Sequence, residues 1–183
     1  IAWPLCERTE ALTRLASLIE KNVFELAWLI SIEAGRTIED ALSEIREAAD
    51  FCRYYTSCAT KLVSENQIEE TAGGIFLCIS PWNFPLAIFV GQVVAALVSG
   101  NVVIAKPAEQ TPLIAYKAVE LFYKSGVPSS VLNLLLADGL TTSKLIDSDL
   151  QLSGVAFTGS NSTAYKIQTL SLIHISEPTR QEA

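Results

Sequence analysis

Between Glu7 and Ile32 the apolar residues Leu12, Leu15, Leu18/Ile19, Leu26 and Leu29/Ile30 recur at three- and four-residue intervals, with charged positions between them. That period predicts helix. Asn22 interrupts the run or caps a second helix, and Gly35 is placed to end it, because glycine accepts the left-handed conformation of a helix C-terminus. Thr37 then opens another long helix, with Glu39 and Asp40 near the positive end of its dipole. Ala41, Leu42, Ile45, Ala48, Ala49, Cys52 and Tyr55 form the stripe expected to be buried. These helices read as scaffold rather than site.

Past the polar link from Ser64 to Gly74 the pattern changes. Gly74 to Ser80 is a short, continuously apolar run ending at Pro81, the mark of a strand buried on both faces. Helix is predicted from about Phe84 to Ser99, strand over Val102–Ala105, helix over Pro112–Lys124 and strand over Val131–Leu135. A short helix over Thr141–Ile146, a strand over Gly154–Phe157 and helix from Ser162 follow. Strand and helix alternate with short links, which predicts an α/β fold with a doubly wound parallel sheet behind two long helices. The expected divisions are a helical part over residues 1–63, an α/β core over 74–169, and a tail over 170–183.

Ligands of such sheets bind beyond the carboxyl ends of the strands. Ser80-Pro81-Trp82-Asn83-Phe84-Pro85, Lys106-Pro107-Ala108-Glu109, Ala137-Asp138-Gly139 and Phe157-Thr158-Gly159-Ser160 stand there in order. Lys106 and Glu109 are a donor and an acceptor suited to ribose hydroxyls. Thr158, Gly159 and Ser160 open a helix whose free N–H groups and dipole attract a pyrophosphate, and Gly159 would let that backbone come close. There is no GxGxxG fingerprint, so an ordinary Rossmann dehydrogenase fits poorly.

Composition narrows the field. The 183 residues suffice for one domain with a core, half of them are hydrophobic, and the formal charge of −7 argues against a nucleic-acid partner. The most apolar stretch, Pro85 to Val98, is too short for a membrane span. A soluble, cytoplasmic protein is expected. Cys6, Cys52, Cys58 and Cys78 lack metal-ligand spacing and read as reduced, mostly buried thiols, so no metal is expected. The chain opens at Ile1 without any methionine, as the interior of a longer gene would. The run from Leu170 to Arg180 resembles a translated sequencing-library adapter, so the tail and its His174 are expected to be non-native.

Together the strand-end clusters resemble the aldehyde dehydrogenase superfamily, over nearly all of the chain from Trp3 to about Thr169. The Ser80–Pro85 segment resembles the loop carrying its oxyanion asparagine, and Lys106-Pro107-Ala108-Glu109-Gln110-Thr111-Pro112 its adenosine-ribose segment. Gly126-Val127-Pro128 and Phe157–Ser160 keep the family's order. Arg46–Tyr55, Cys78–Phe89 and Ala105–Ala115 look like the L-glutamate γ-semialdehyde dehydrogenase part of bacterial bifunctional proline utilisation A proteins, with nothing of their flavin-dependent proline dehydrogenase.

The resemblance implies NAD as cofactor, an aldehyde as substrate and a homo-oligomeric parent. Asn83 is implied as the oxyanion donor. Ser80, Pro81, Trp82, Lys106, Ala108, Glu109, Gly139, Phe157, Thr158, Gly159 and Ser160 are implied to hold the cofactor, with Glu109 repelling a 2′-phosphate. Asn161-Ser162-Thr163 departs from the usual acidic-then-aliphatic pattern, and Thr163 stands where an aliphatic residue packs under adenine. The family's general-base glutamate and nucleophilic cysteine lie downstream, so the segment alone is expected to be inactive. Alternatives are a succinate-semialdehyde or CoA-acylating aldehyde dehydrogenase, or a non-catalytic nucleotide-binding module.

Overall fold

Among the described residues three helices precede four strands, each of which is followed by a further helix. The computed structural model describes residues 3–65, 72–146 and 152–170. The expected tail beyond Leu170, His174 included, and most of the link after Ser64 lie outside the described residues. Helices α1 (Leu5–Lys21), α2 (Val23–Ala34) and α3 (Ile38–Ser64) precede β1 (Ile75–Ile79), α4 (Ala87–Val98), β2 (Val102–Lys106) and α5 (Pro112–Lys124). Strand β3 (Leu132–Leu134), α6 (Gly139–Ile146), β4 (Leu152–Phe157) and α7 (Asn161–Leu170) follow.

Asn22 does separate two helices: its side-chain Nδ2 donates to the Leu18 carbonyl at 2.7 Å, satisfying a carbonyl at the end of α1. Gly35 closes α2 with φ 65°. Thr37 Oγ1 accepts the Asp40 N–H at 3.1 Å and caps α3. The helix expected from Phe84 starts instead at Ala87, because a residue before proline is driven away from helical geometry and Pro85 follows Phe84.

The sheet has the order β3-β2-β1-β4 with every neighbouring pair parallel. Alternate side chains divide the core. Phe76, Cys78, Val103, Ala105 and Ala156 face α1, α3, α4 and α5 in the larger cluster. Leu77, Ile79, Val155 and Phe157 face the other way and pack with Ile167 of α7 and Ile146 of α6. The sheet is thus covered on both faces, heavily on one and thinly on the other.

Two expectations fail, for the α3 stripe and for the cysteines, and one buried carboxylate was not foreseen. Leu42 is 40% exposed and Tyr55 only half-buried. Glu44 is buried in α3 at 1% exposure, since that side of the helix meets the start of α4. Cys6 is exposed and Cys58 half-buried, leaving only Cys52 and Cys78 as core thiols.

Candidate active site

All four strands point their carboxyl ends to one edge, where Ile79 pairs with both Lys106 and Phe157 and Ala105 with Leu134. The chain stays tied down as it leaves. Ser80 N–H donates to the Lys106 carbonyl at 3.2 Å, Leu135 N–H to that of Ala105 at 2.9 Å, and Thr158 N–H to that of Ile79 at 3.0 Å. Each predicted cluster therefore emerges from the same rim.

On the thinly covered face this rim holds a cavity of about 490 Å³. Ile79 and Lys106 form its floor. Gly139, Leu140, Thr142, Ser143 and Ile146 of α6 make one wall, and Thr163, Lys166 and Ile167 of α7 the other, with Glu109 and Asp138 at the margin. Of the predicted site residues the cavity joins Lys106, Glu109 and Gly139. Ser80, Pro81, Trp82, Asn83, Ala108, Phe157, Thr158, Gly159 and Ser160 do not line it.

Lys106 is 6% exposed. Burial pulls its ammonium below the ordinary lysine value, partly countered by the negative charges of Glu109 and Asp138. Glu109 Oε1 accepts the Gly139 N–H at 2.9 Å, so one carboxylate oxygen caps α6 and only Oε2 is left for a ligand. Asp138 Oδ1 accepts the Thr141 N–H at 2.7 Å. Bonding to Thr141 first, then the charges of Lys144 and Lys106, holds its carboxyl below the usual range.

Ser160 lies just before α7, and its Oγ accepts the Thr163 N–H at 3.3 Å. Thr163 does line the cavity, and the apolar surface missing from it is supplied one turn later by Ile167, 5% exposed. Gly159 has a reason of its own: a Cβ there would stand 2.7 Å from Phe157 Cζ, so the residue is small because a buried ring lies beneath it.

On the opposite face of the sheet the chain leaves β1 toward α4. Ser80 is buried, Trp82 is 52% exposed, and Asn83 and Phe84 are half-buried. The helical layer, expected to be mere scaffold, reaches this loop. Arg36 Nη1 donates to the Asn83 carbonyl at 3.0 Å, and its guanidinium lies over the Phe84 ring, 4.4 Å from the centroid. Glu44 Oε1 accepts the N–H groups of Leu86 at 2.7 Å and Ala87 at 3.1 Å, the first of α4. Burial pushes the Glu44 carboxyl above its ordinary value, against the pull of those two bonds and of Arg36. From α4, Gln92 Nε2 donates to Thr158 Oγ1 at 3.0 Å, joining the two sides of the rim.

Sequence reading missed Arg36, Glu44, Gln92 and Lys166. Lys166 carried a signal, standing three residues after Thr163 and so on the same side of α7. Cys52 and Cys78 are pushed up to about 12 by burial, which makes them poor nucleophiles.

The aldehyde dehydrogenase family model matches residues 2–177. The chain is 45% identical over 167 residues to the bifunctional protein PutA of Klebsiella aerogenes, covering 91% of this chain and 13% of that protein. Against the 1-pyrroline-5-carboxylate dehydrogenase of Anoxybacillus flavithermus it is 35% identical over 170 residues, 87% of this chain and 33% of that protein. Among solved structures, the NAD-dependent aldehyde dehydrogenase from Sinorhizobium meliloti superposes with a TM-score of 0.85 at 28% identity, over 94% of this chain and 37% of that one. The chain thus spans about an eighth of the PutA relative and a third of the pyrroline-carboxylate enzyme.

Proposed function

Because the chain belongs to the aldehyde dehydrogenase family, we propose that it is the amino-terminal, NAD-binding part of an enzyme oxidising L-glutamate γ-semialdehyde to glutamate in proline catabolism. The carrying observation is the cavity at the carboxyl edge of the sheet, where buried Lys106 stands beside Glu109. Its floor offers a cation and its margin one uncommitted carboxylate oxygen, the donor and acceptor that a ribose diol needs. The substrate is supported by the PutA and pyrroline-carboxylate dehydrogenase relatives, and the cofactor by the NAD-dependent structural neighbour.

Lys106 and Glu109 Oε2 bind the adenosine ribose, with Ile167 and Thr163 beside it. The charge on Glu109 disfavours a 2′-phosphate. Gly139 keeps the cavity margin low, and Ala108 stands outside it between Lys106 and Glu109 in the chain. Phe157 supports Gly159, and the N–H groups at Gly159 and Ser160 serve the pyrophosphate at the start of α7, while that of Thr158 is taken by the Ile79 carbonyl. Ser80, Pro81 and Trp82 lie outside that cavity and are assigned to the cofactor farther along the rim. When bound, NAD supplies the hydride acceptor. Asn83 donates its side-chain amide to the oxygen that becomes negative when a thiolate adds to the aldehyde, worth about 3 kcal/mol in comparable sites.

That thiolate and the general base are assigned to polypeptide beyond this segment, since Cys52 and Cys78 are buried and strongly held as thiols. The cytoplasm is the proposed location, supported by four free cysteines. Among the described residues no helix is long and apolar enough to cross a membrane.

The test is the purified product of the complete gene with the semialdehyde and NAD. Asn83→Ala is expected to lower kcat by roughly 10²- to 10³-fold. Wild-type turnover by that variant would overturn the role of Asn83. Turnover of the semialdehyde by the 183-residue chain alone would overturn the placement of the nucleophile outside it. A preference for succinate semialdehyde or for CoA-dependent acylation would replace the substrate.

A further inference from the structure

Resting on the oxyanion role of Asn83, we infer that Arg36 and Glu44 are positioning residues that fix the main chain on both sides of Pro85 and thereby set where the Asn83 amide stands.

Arg36 sits in the short turn between Gly35, which closes α2, and Thr37, which caps α3, so its backbone is pinned at both neighbours. Its closest approach to a surface carboxylate is 4.0 Å, to Asp40. The shorter contact runs inward, to the Asn83 carbonyl at 3.0 Å, with the same guanidinium over Phe84. Arg36 therefore gives its closest hydrogen bond, from Nη1, and its ring contact to the loop, while Nη2 keeps a longer ion pair with Asp40.

Glu44 is the more telling of the two. Helix α4 starts at Ala87, and Leu86 before it offers no capping side chain. A serine or asparagine at position 86 would reach only the N–H groups of residues 88 and 89, leaving those of Leu86 and Ala87 unpaired. The chain instead imports a carboxylate from α3 and buries it at 1% exposure. A buried carboxylate is expensive to desolvate, so a cap alone is a poor reason for it. What the imported oxygen adds is a fixed tie between α3 and the loop, since it accepts two N–H groups of another element. Residues 83, 84, 86 and 87 are thereby held from one rigid layer, while proline stiffens the middle. A side-chain amide that must meet a developing charge needs its backbone held to a fraction of an ångström.

The experiment is a double-mutant cycle in the full-length enzyme, reading kcat, the KM for NAD and the unfolding midpoint. Arg36→Ala is expected to lower kcat roughly 10- to 100-fold while the KM for NAD stays within about twofold. Added to Asn83→Ala it should lower kcat no further, because its effect passes through that amide. Glu44→Ala should behave alike, and Glu44→Gln should recover most of the loss, since an amide oxygen still accepts both N–H groups. Arg36→Lys, which keeps the charge but not the fork, carries the cycle should Arg36→Ala fail to fold, with an intermediate loss. If Asn83→Ala loses activity but the Arg36 and Glu44 variants keep it, or if their losses multiply with that of Asn83→Ala, the inference is overturned while the reading of Asn83 stands. If Asn83→Ala itself is fully active, it is that reading which falls.

Discussion

At the scale of single residues, the site depends on side chains that meet across long stretches of sequence. Gly159 is the simplest case. Its missing Cβ makes room for the Phe157 ring, so Gly159→Ala should destabilise the protein by about 1–3 kcal/mol through overpacking. Adding Phe157→Leu should return much of that loss in a denaturant titration. Glu44 gives a pH signature. Its carboxyl binds a proton more readily in the fold than in the unfolded chain, so this group favours folding at low pH. The contribution is lost as the pH climbs from the ordinary value of 4.5 through the raised folded one. Relative to Glu44→Gln, wild type should therefore lose stability as the pH rises above about 4.5, as unfolding midpoints measured upward from that pH would record. Lys106 and Glu109 were legible because a strand ends beside them. Arg36, Glu44 and Gln92 were not, because their partners lie 47, 42 and 66 residues away and no spacing rule reaches so far.

Elements were easier to read than their beginnings. Among the described residues, period 3.6 located the long helices and short apolar runs the strands, since burial on a regular backbone forces those periods. Helix starts depend on capping partners. Thr37 is local to α3 and was found, whereas α4 takes its cap from Glu44 and α6 from Glu109, both on other elements. Glu109 consequently has two jobs, and two variants separate them. Glu109→Ala should speed amide exchange over Gly139–Ser143 and weaken NAD binding together. Glu109→Gln should leave exchange slow, since its amide oxygen still accepts from Gly139. It should narrow the preference for NAD over NADP by roughly tenfold, the ratio matching about 1.4 kcal/mol of relieved repulsion. Comparative kcat/KM with the two cofactors reads the second effect.

For the molecule as a whole, the doubly wound topology and an open apolar flank were legible, but not which residues form that flank. Phe24, Trp28 and Ile32 stand four residues apart along α2 at 87%, 60% and 52% exposure, beside Leu113 and Tyr116 of α5 at 54% and 60%. Periodicity marks apolar stripes but does not say which of two will be covered. The 183-residue chain on its own should therefore self-associate, with a light-scattering mass that rises with concentration. The pair Phe24→Glu and Trp28→Glu should shift that mass toward the monomer, and no shift would place the sticky surface elsewhere.

The grip of Arg36 and Glu44 on residues 83–87 also bears on how such genes can be recombined. The polar stretch after Ser64 looks like a natural seam for shuffling segments between homologues. A crossover there inherits the clamp from one parent and the clamped loop from the other. Hybrids joined at that point should fold yet turn over slowly, whereas junctions placed ahead of Gly35 or beyond Ala87 keep the matched pair together.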